Sequence, residues 1–573
     1  MKWKPRLDWS SRTRAALRSI LRFAPLALGG LLIEALYPSV PWLLGLLKLG
    51  LVEYVYYSVV GLFALHLVVD FTQVASKTIF FRTRAFDLLL LFPLLLASDG
   101  VRITVGLIAL HQTLVCIRSL TYWPGTRNRL RLLRFTPARV IASSFAGAIL
   151  VGTILLTLPF ASAEGQGTEL LDALFTATSA VCVTGLIVLD TPKHFSTFGQ
   201  VVIMGLMQVG GLGIMTFSTF LAIALRGRIG MQDRVVMQDL LEERNIETLK
   251  SMIVSILKMT FIIEAVGMLI LAWTWYSLGE RPRQALYLGI FHSIAAFNNA
   301  GFALFSDSLM QYRGDIPINL TITTLIILGG LGYTVISGLS EWRFWGKAQV
   351  PRLSCHMRLV LATTGILLGS GTLMFYVAEF SKGMVDFSWT ERFLASYFLA
   401  VTPRTAGFNT VDTASLTDLS LFITIILMFV GASPASTGGG VKTSTVALLV
   451  MSIRAILRQR EEVEVFYRTI PRETVHKALV IITLSFSLIN LFTILLLLTD
   501  DVQFLPAMFE VVSAFGTVGL SMGLTPSLTA AGKVIIIVVM FIGRIGPLTM
   551  ALALGEQQDQ ARFAYPTERV MVG

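Results

Sequence analysis

Four glycines, Gly185, Gly301, Gly407 and Gly519, recur 116, 106 and 112 residues apart. Each closes a short step of small or polar residues: Val183-Thr184-Gly185, Asn299-Ala300-Gly301, Thr405-Ala406-Gly407 and Thr517-Val518-Gly519. Ten residues before each glycine stands an aromatic, Phe175, Phe291, Tyr397 and Phe509. After each, 24 to 28 residues on, comes a further glycine in an apolar run: Gly210, Gly329, Gly431 and Gly543. One such step carries no information, but four in matching surroundings are an internal repeat. Glycine reaches positive φ without Cβ strain, so a turn built on it can aim successive carbonyl oxygens at one point. A ring of carbonyl oxygens replaces the hydration shell of a cation. The chemistry expected of these residues is coordination of a bare monovalent cation by backbone, with no acid, base or nucleophile involved. Thr184, Asn298, Asn299, Thr405, Asn409 and Thr517 cluster beside the turns, which close packing alone does not explain. Close packing does explain the second-helix glycines, because small residues let membrane helices approach.

The elements that must hold such turns follow from their lengths. Each unit reads as a helix, a short half-helix, a glycine turn and a second helix, in the first repeat at about 140–158, 171–181, 182–188 and 198–225. The short piece falls well below the roughly 20 residues a span needs. It is therefore expected to re-enter the membrane, which is tolerated where backbone lines a watery cavity. Four copies around an axis would form a pore, with the carboxyl ends of the half-helices adding negative potential. The whole chain agrees with this setting: of 573 residues 54% are hydrophobic and 14% charged, against about 25% charged in soluble domains. Val480–Leu498 and Val534–Leu554 are nearly continuous apolar runs, unlike the alternating strands of a barrel. The expected fold is an all-α polytopic membrane protein of about a dozen spans. It comprises four pseudosymmetric repeats at 140–227, 250–342, 356–455 and 477–556, an N-terminal appendage of about four helices at 1–139, and a tail at 557–573. Lys and Arg cluster between apolar blocks, as in Arg226–Lys250 and Arg454–Lys477. By the positive-inside rule these clusters and both termini are cytoplasmic. The net charge of +11 is thus topological and does not mark a nucleic-acid-binding protein.

Other conspicuous side chains divide between structure and function. Arg544 lies deep in the last apolar helix, where an unpaired cation costs about 2.5–3.5 kcal/mol or more. It should face the pore beneath the turns or pair with an acid such as Glu510. Gly438-Gly439-Gly440 before Val441-Lys442-Thr443 is not a phosphate loop, which needs glycine directly before Lys-Ser/Thr. With Pro434 nearby it should break the third repeat's second helix. Glu264 reads as a buried acid beside a donor, Arg404 as a structural brace, and His292 as a packing residue. Six scattered histidines and the absence of paired acids or metal-ligand spacing argue against an enzyme. The alternative transport reading is a secondary cation transporter coupled to sodium or protons, for which inverted or two-fold repeats would be expected.

Together the four turns, TPRTAGFNT at 402–410, GASPASTGGGVKTST at 431–445, FIGRIGPLT at 541–549 and the terminal Tyr565-Pro566 and Val572-Gly573 resemble the Trk/Ktr/HKT superfamily of potassium uptake proteins, nearest the bacterial Ktr-type membrane subunit. The resemblance implies a potassium filter at the four turns, with Gly185 rather than serine favouring potassium over sodium. It further implies a gate formed by Gly438, Gly439, Gly440 and Lys442 facing Arg544, and sodium as a candidate activator. Two copies would assemble, one pore each, on a cytosolic Rossmann-type regulator that supplies nucleotide binding. The N-terminal appendage departs from the family core.

Overall fold

A computed structural model describes residues 137–213, 249–341, 353–380 and 382–554. The four appendage helices expected within 1–139, the 214–248 segment and the 557–573 tail lie outside the described residues, apart from 137–139. The described helices are α1 (Pro137–Leu156), α2 (Leu170–Cys182), α3 (Thr197–Gly211), α4 (Leu249–Ser277), α5 (Pro282–Phe297), α6 (Ile316–Leu331), α7 (Tyr333–Glu341) and α8 (Cys355–Glu379). They continue with α9 (Trp389–Val401), α10 (Asp418–Phe429), α11 (Thr443–Leu457), α12 (Arg472–Thr499), α13 (Phe504–Gly516), α14 (Ala530–Ile545) and α15 (Pro547–Leu554). A small antiparallel hairpin, β1 (Val463–Val465) and β2 (Arg468–Ile470), joins α11 to α12.

The long helices meet the requirement for membrane crossing. Ile253–Ser277, Cys355–Glu379 and Arg472–Thr499 are long and apolar enough, and α6 with α7 makes a fourth candidate bent by 104°. Many of their outward side chains are themselves apolar, among them Trp273, Leu373, Ile494 and Leu498. A helix apolar on all faces needs lipid as its solvent.

The described residues divide into two compact units. In the smaller, residues 150–177 and 189–205, the chain folds back on itself around Phe160 and His194. Ala163 N–H donates to His194 O at 2.8 Å and Ser196 N–H to Ala161 O at 2.9 Å. The Phe160 and Phe198 rings meet edge-on at 4.6 Å.

The larger unit, residues 137–149, 178–188 and those described from 206 onward, carries the remaining repeats. Its second helices start from side-chain caps: Asp315 accepts from Ile318 N–H before α6, Thr417 from Ser420 N–H before α10, and Thr529 from Gly532 N–H before α14. In the last two repeats a buried acid at the end of the first helix grips that cap. Glu379 accepts from Thr417 N–H at 2.9 Å and from its hydroxyl at 2.7 Å. Asp500 accepts from Thr529 N–H at 2.8 Å and from its hydroxyl at 3.2 Å. Thr529→Val removes both the cap and one bond to Asp500. It should lower the stability of the detergent-solubilised protein by about 1–2 kcal/mol, read as a fall in melting temperature with far-UV helicity retained. An unchanged melting curve would show that this pin contributes nothing.

The sequence reading expected a break only in the third repeat's second helix. Instead α3 stops at Gly211, ahead of Gly213 at φ +77°, where 198–225 was expected to run unbroken; α6 stops at Gly332 (φ +86°) and α14 at Gly546 (φ +92°). A left-handed residue ends the i to i−4 ladder. In the third repeat the position equivalent to those glycines is Pro434, and residues 430–442 form an extended loop between α10 and α11.

Candidate functional site

Three of the four short helices end alike. In α2, Val183 N–H bonds Ala180 O at 3.2 Å and Thr184 N–H bonds Ser179 O at 2.8 Å; the same pair recurs as Asn299 to Ala296 and Ala300 to Ala295, and as Thr517 to Ala514 and Val518 to Ser513. This crossed pair is a helix C-terminal stop that requires a left-handed residue. Glycine usually fills that position, yet here it is held by Val183 (φ +56°), Asn299 (φ +58°) and Thr517 (φ +52°), with Thr405 (φ +71°) matching in the third repeat. Left-handed backbone at a non-glycine residue costs roughly 1–3 kcal/mol, more readily found at functional sites than elsewhere. Two residues on, Gly185, Gly301, Gly407 and Gly519 are left-handed as well, at φ +86°, +70°, +76° and +94°. Sequence reading placed the positive φ at the glycines and missed the residue two before each.

The third repeat reaches the same turn differently. Pro403 has no N–H to donate, so the α9 ladder ends although Thr402 keeps helical backbone (φ −62°, ψ −37°) and bonds Phe398 O at 2.9 Å, and Ala406 N–H bonds Thr402 O at 2.9 Å. The helix register is displaced, and the fully buried aromatic is Phe398; Tyr397, matched by spacing to Phe175, Phe291 and Phe509, is only half-buried.

The four turns close on one another in order. A Cβ on Gly185 would strike Ala300 O, one on Gly301 Ala406 O, one on Gly407 Val518 O, and one on Gly519 Thr184 O. Each glycine thus faces the carbonyl just before the next glycine, and the fourth returns to the first. The same added Cβ atoms would lie 2.9–3.3 Å from a neighbouring glycine's Cα. Val183, Thr184, Asn299, Ala300, Thr405, Ala406, Thr517 and Val518 are all buried in this assembly. Ser179 Oγ and Ser513 Oγ accept from Gly185 and Gly519 N–H at 3.0 and 3.1 Å, bracing two of the four turns. The Asn299 amide meets the Thr405 hydroxyl at 3.1 Å.

The second-helix glycines pack as close-approach residues. A Cβ at Gly210, Gly329 or Gly543 would strike Val181 O, Phe297 O or Phe515 O, in each case the carbonyl four residues before the ring glycine. Gly431 departs: it lies against Gly439 O, so in the third repeat the loop itself occupies that place.

That loop sits against the ring. Thr437 N–H donates to Gly329 O at 3.2 Å and its hydroxyl to Phe297 O at 3.2 Å. Gly438 lies against the Thr405 side chain, and Gly439 N–H donates to Thr517 Oγ1 at 3.0 Å. Lys442 Nζ donates to Gly438 O at 2.7 Å. Arg544 donates to the carbonyls of Thr437 and Gly210. The alternative pairing with Glu510 is not made, since Glu510 is held by the Ser521 and Thr525 hydroxyls. Arg544 and Lys442 border one cavity of about 220 Å³ together with Gly213, Phe297, Tyr333 and Ile545. Sequence reading named Gly438, Gly439, Gly440, Lys442 and Arg544 but missed Thr437 and Ser433, whose N–H donates to Gly330 O at 3.0 Å.

The remaining residues are structural here. Glu264 accepts from Gln208 at 3.1 Å and from Asn298 at 3.0 Å. Arg404 reaches the Thr364 hydroxyl at 3.4 Å. His292 bonds Leu288 O through Nδ1, accepts from Leu304 N–H at Nε2, and stacks on Phe305 at 5.2 Å.

The family model described as TrkH, a cation transport protein, matches residues 112–564. The chain is therefore in the class of membrane ion transport proteins and is not an enzyme. It is 40% identical over 457 residues to the Ktr system potassium uptake protein B of Bacillus subtilis, covering 78% of this chain and 98% of that protein. It is 36% identical over 447 residues to the potassium/sodium uptake protein NtpJ of Enterococcus hirae, covering 77% and 98%. The crystal structure of the potassium transporter TrkH from Vibrio parahaemolyticus superposes with TM-score 0.54 at 20% identity, covering 72% of this chain and 85% of that one. The chain belongs to the TrkH family of cation transport proteins.

Proposed function

We propose that this chain is the pore-forming subunit of a potassium uptake system in the cytoplasmic membrane, with both termini inside. The cyclic contact of Gly185, Gly301, Gly407 and Gly519 with one another's preceding carbonyls carries the reading. Four turns from one chain enclose an axis on which backbone oxygens can replace water around a cation. The filter comprises Val183, Thr184 and Gly185, Asn299, Ala300 and Gly301, Thr405, Ala406 and Gly407, and Thr517, Val518 and Gly519, with potassium held at the glycines. The pore repeats are 140–227, 250–342, 356–455 and 477–556, preceded by an appendage at 1–139 that docks or braces the core. The loop at Gly438–Gly440 with Lys442, held by Arg544, is the gate. Relatives named for potassium uptake and for potassium/sodium uptake support potassium as cargo and sodium as an activator.

Free flow through such a pore would collapse the membrane potential, so opening must be regulated. The name "Ktr system" of the Bacillus subtilis relative supports a working assembly of more than one component. The proposed assembly is a homodimer on a cytosolic Rossmann-type nucleotide-binding ring, docked on the basic segments at 226–250 and 454–477. The test is growth at low potassium, and rubidium uptake, in a bacterial host stripped of its own potassium uptake. Expression of this chain with a cognate cytosolic subunit should restore both. In reconstituted vesicles this chain alone should give low flux without nucleotide response, and the cytosolic subunit should add that response. No growth and no rubidium uptake from correctly inserted protein would overturn the potassium reading. Nucleotide-responsive flux from this chain alone would overturn the partner.

A further inference from the structure

The gate loop rests on the filter through contacts of two kinds. On the second repeat it binds backbone: Thr437 reaches Gly329 O and Phe297 O, and Ser433 reaches Gly330 O. On the third and fourth repeats it meets side chains, Gly438 against Thr405 and Gly439 N–H on Thr517 Oγ1 at 3.0 Å. Among the described residues, Gly439 supplies the amide of the Gly438–Gly440 stretch that bonds a side chain.

Thr517 stands at one of the four left-handed positions beneath the glycines. Its backbone conformation does not call for a hydroxyl, because Val183 holds the equivalent position at φ +56° with no polar atom. Nor is the hydroxyl there to satisfy the turn, whose bonds run through the backbone of Thr517 and Val518. The oxygen serves the loop. A buried amide that loses its acceptor is costly, so the loop is held in its seat as long as Thr517 Oγ1 is present.

We propose that Thr517 is a positioning residue of the gate: its hydroxyl, fixed by the strained backbone of the filter, accepts the Gly439 N–H and latches the loop shut. The proposal rests on reading residues 438–440 as the gate. Its consequence is that the gate leans on a side chain of the filter itself, so that release of the loop begins with the loss of this bond.

The test is rubidium uptake by reconstituted full-length chain. Thr517→Val keeps the β-branch and the shape while removing the acceptor, and Thr517→Ser restores the hydroxyl. Thr517→Val should raise uptake roughly two- to tenfold, the span expected for one net hydrogen bond, and Thr517→Ser, with the acceptor back, should raise it clearly less than Thr517→Val does. In a chain lacking Gly438–Gly440, Thr517→Val should add nothing. The rubidium-to-sodium ratio should hold throughout. Gly439→Ala approaches the same contact from the loop, since its Cβ would lie 2.8 Å from Thr517 Cγ2. It too should raise uptake, and it keeps the test alive if Thr517→Val fails to insert. If the deletion raises uptake while Thr517→Val and Gly439→Ala match wild type, the latch is wrong and the gate stands. A deletion without effect on uptake removes the gate and the latch together. A changed ion ratio at an unchanged rate in Thr517→Val would place the hydroxyl in selectivity and overturn the latch.

Discussion

Gly185→Ser is expected to reduce discrimination of potassium against sodium by roughly tenfold or more. Two costs coincide at this position. A side chain in left-handed backbone is disfavoured by about 1–2 kcal/mol, and the added Cβ would collide with the carbonyl of Ala300. One quarter of the ring must then shift, and about 1.4 kcal/mol of altered relative affinity suffices for a factor of ten. The same holds around the ring, because Gly301, Gly407 and Gly519 face Ala406, Val518 and Thr184 in the same manner. Competition of sodium against rubidium uptake measures it directly. Serine variants at all four positions with unaltered ion preference would mean that these glycines serve packing alone.

Release of the proposed gate should act on rate instead. Deleting Gly438–Gly440, or replacing Arg544 by Ala, is expected to raise the maximal uptake rate about tenfold or more, with ion preference changed by less than about threefold. Arg544 holds the carbonyls of Thr437 and Gly210, and hydrogen bonds from a charged donor are worth about 1.5–3 kcal/mol each. The glycines contact Thr405 and Thr517 side chains but contribute no carbonyl to the closed ring of contacts, which is why selectivity should survive. Uptake in vesicles, normalised to inserted protein, separates the two effects. Equal or lower uptake from well-inserted variants would show that the loop supports the pore without closing it.

How much was legible beforehand depended on whether a contact leaves a side-chain signature. The glycine turns were legible because a position that collides with a neighbouring carbonyl excludes every side chain, and does so four times at near-constant spacing. The left-handed residues two places earlier were not, since Val183, Asn299, Thr405 and Thr517 share no chemistry; the conformation is imposed by the helix stop and the tertiary seat. The seating of Gly210, Gly329 and Gly543 on carbonyls four residues before each turn was equally hidden, because any residue supplies a carbonyl. The offset from Tyr397 to Phe398 had a readable cause in Pro403, but spacing to the glycine outweighed it. Arg544 stood out as a deep cation, whereas its acceptors, the carbonyls of Thr437 and Gly210, being backbone, had no sequence mark. The grip of Glu379 and Asp500 on Thr417 and Thr529 joins residues too distant in sequence for any local pattern to reveal.

The ring closes only where Gly519 meets Thr184, a contact between residues more than three hundred positions apart. During synthesis the first three turns enter the bilayer before the fourth exists. An unfinished chain therefore has an open-sided cluster of carbonyls and no complete cage to strip water from an ion. On the proposed pore reading, ion permeability is acquired late in biogenesis, when the loop at 438–440 has already been made. Under the proposed function, chain order alone puts the closure ahead of the conduit it would seal, and a chain stalled before the last repeat lacks the turn that would complete the cage.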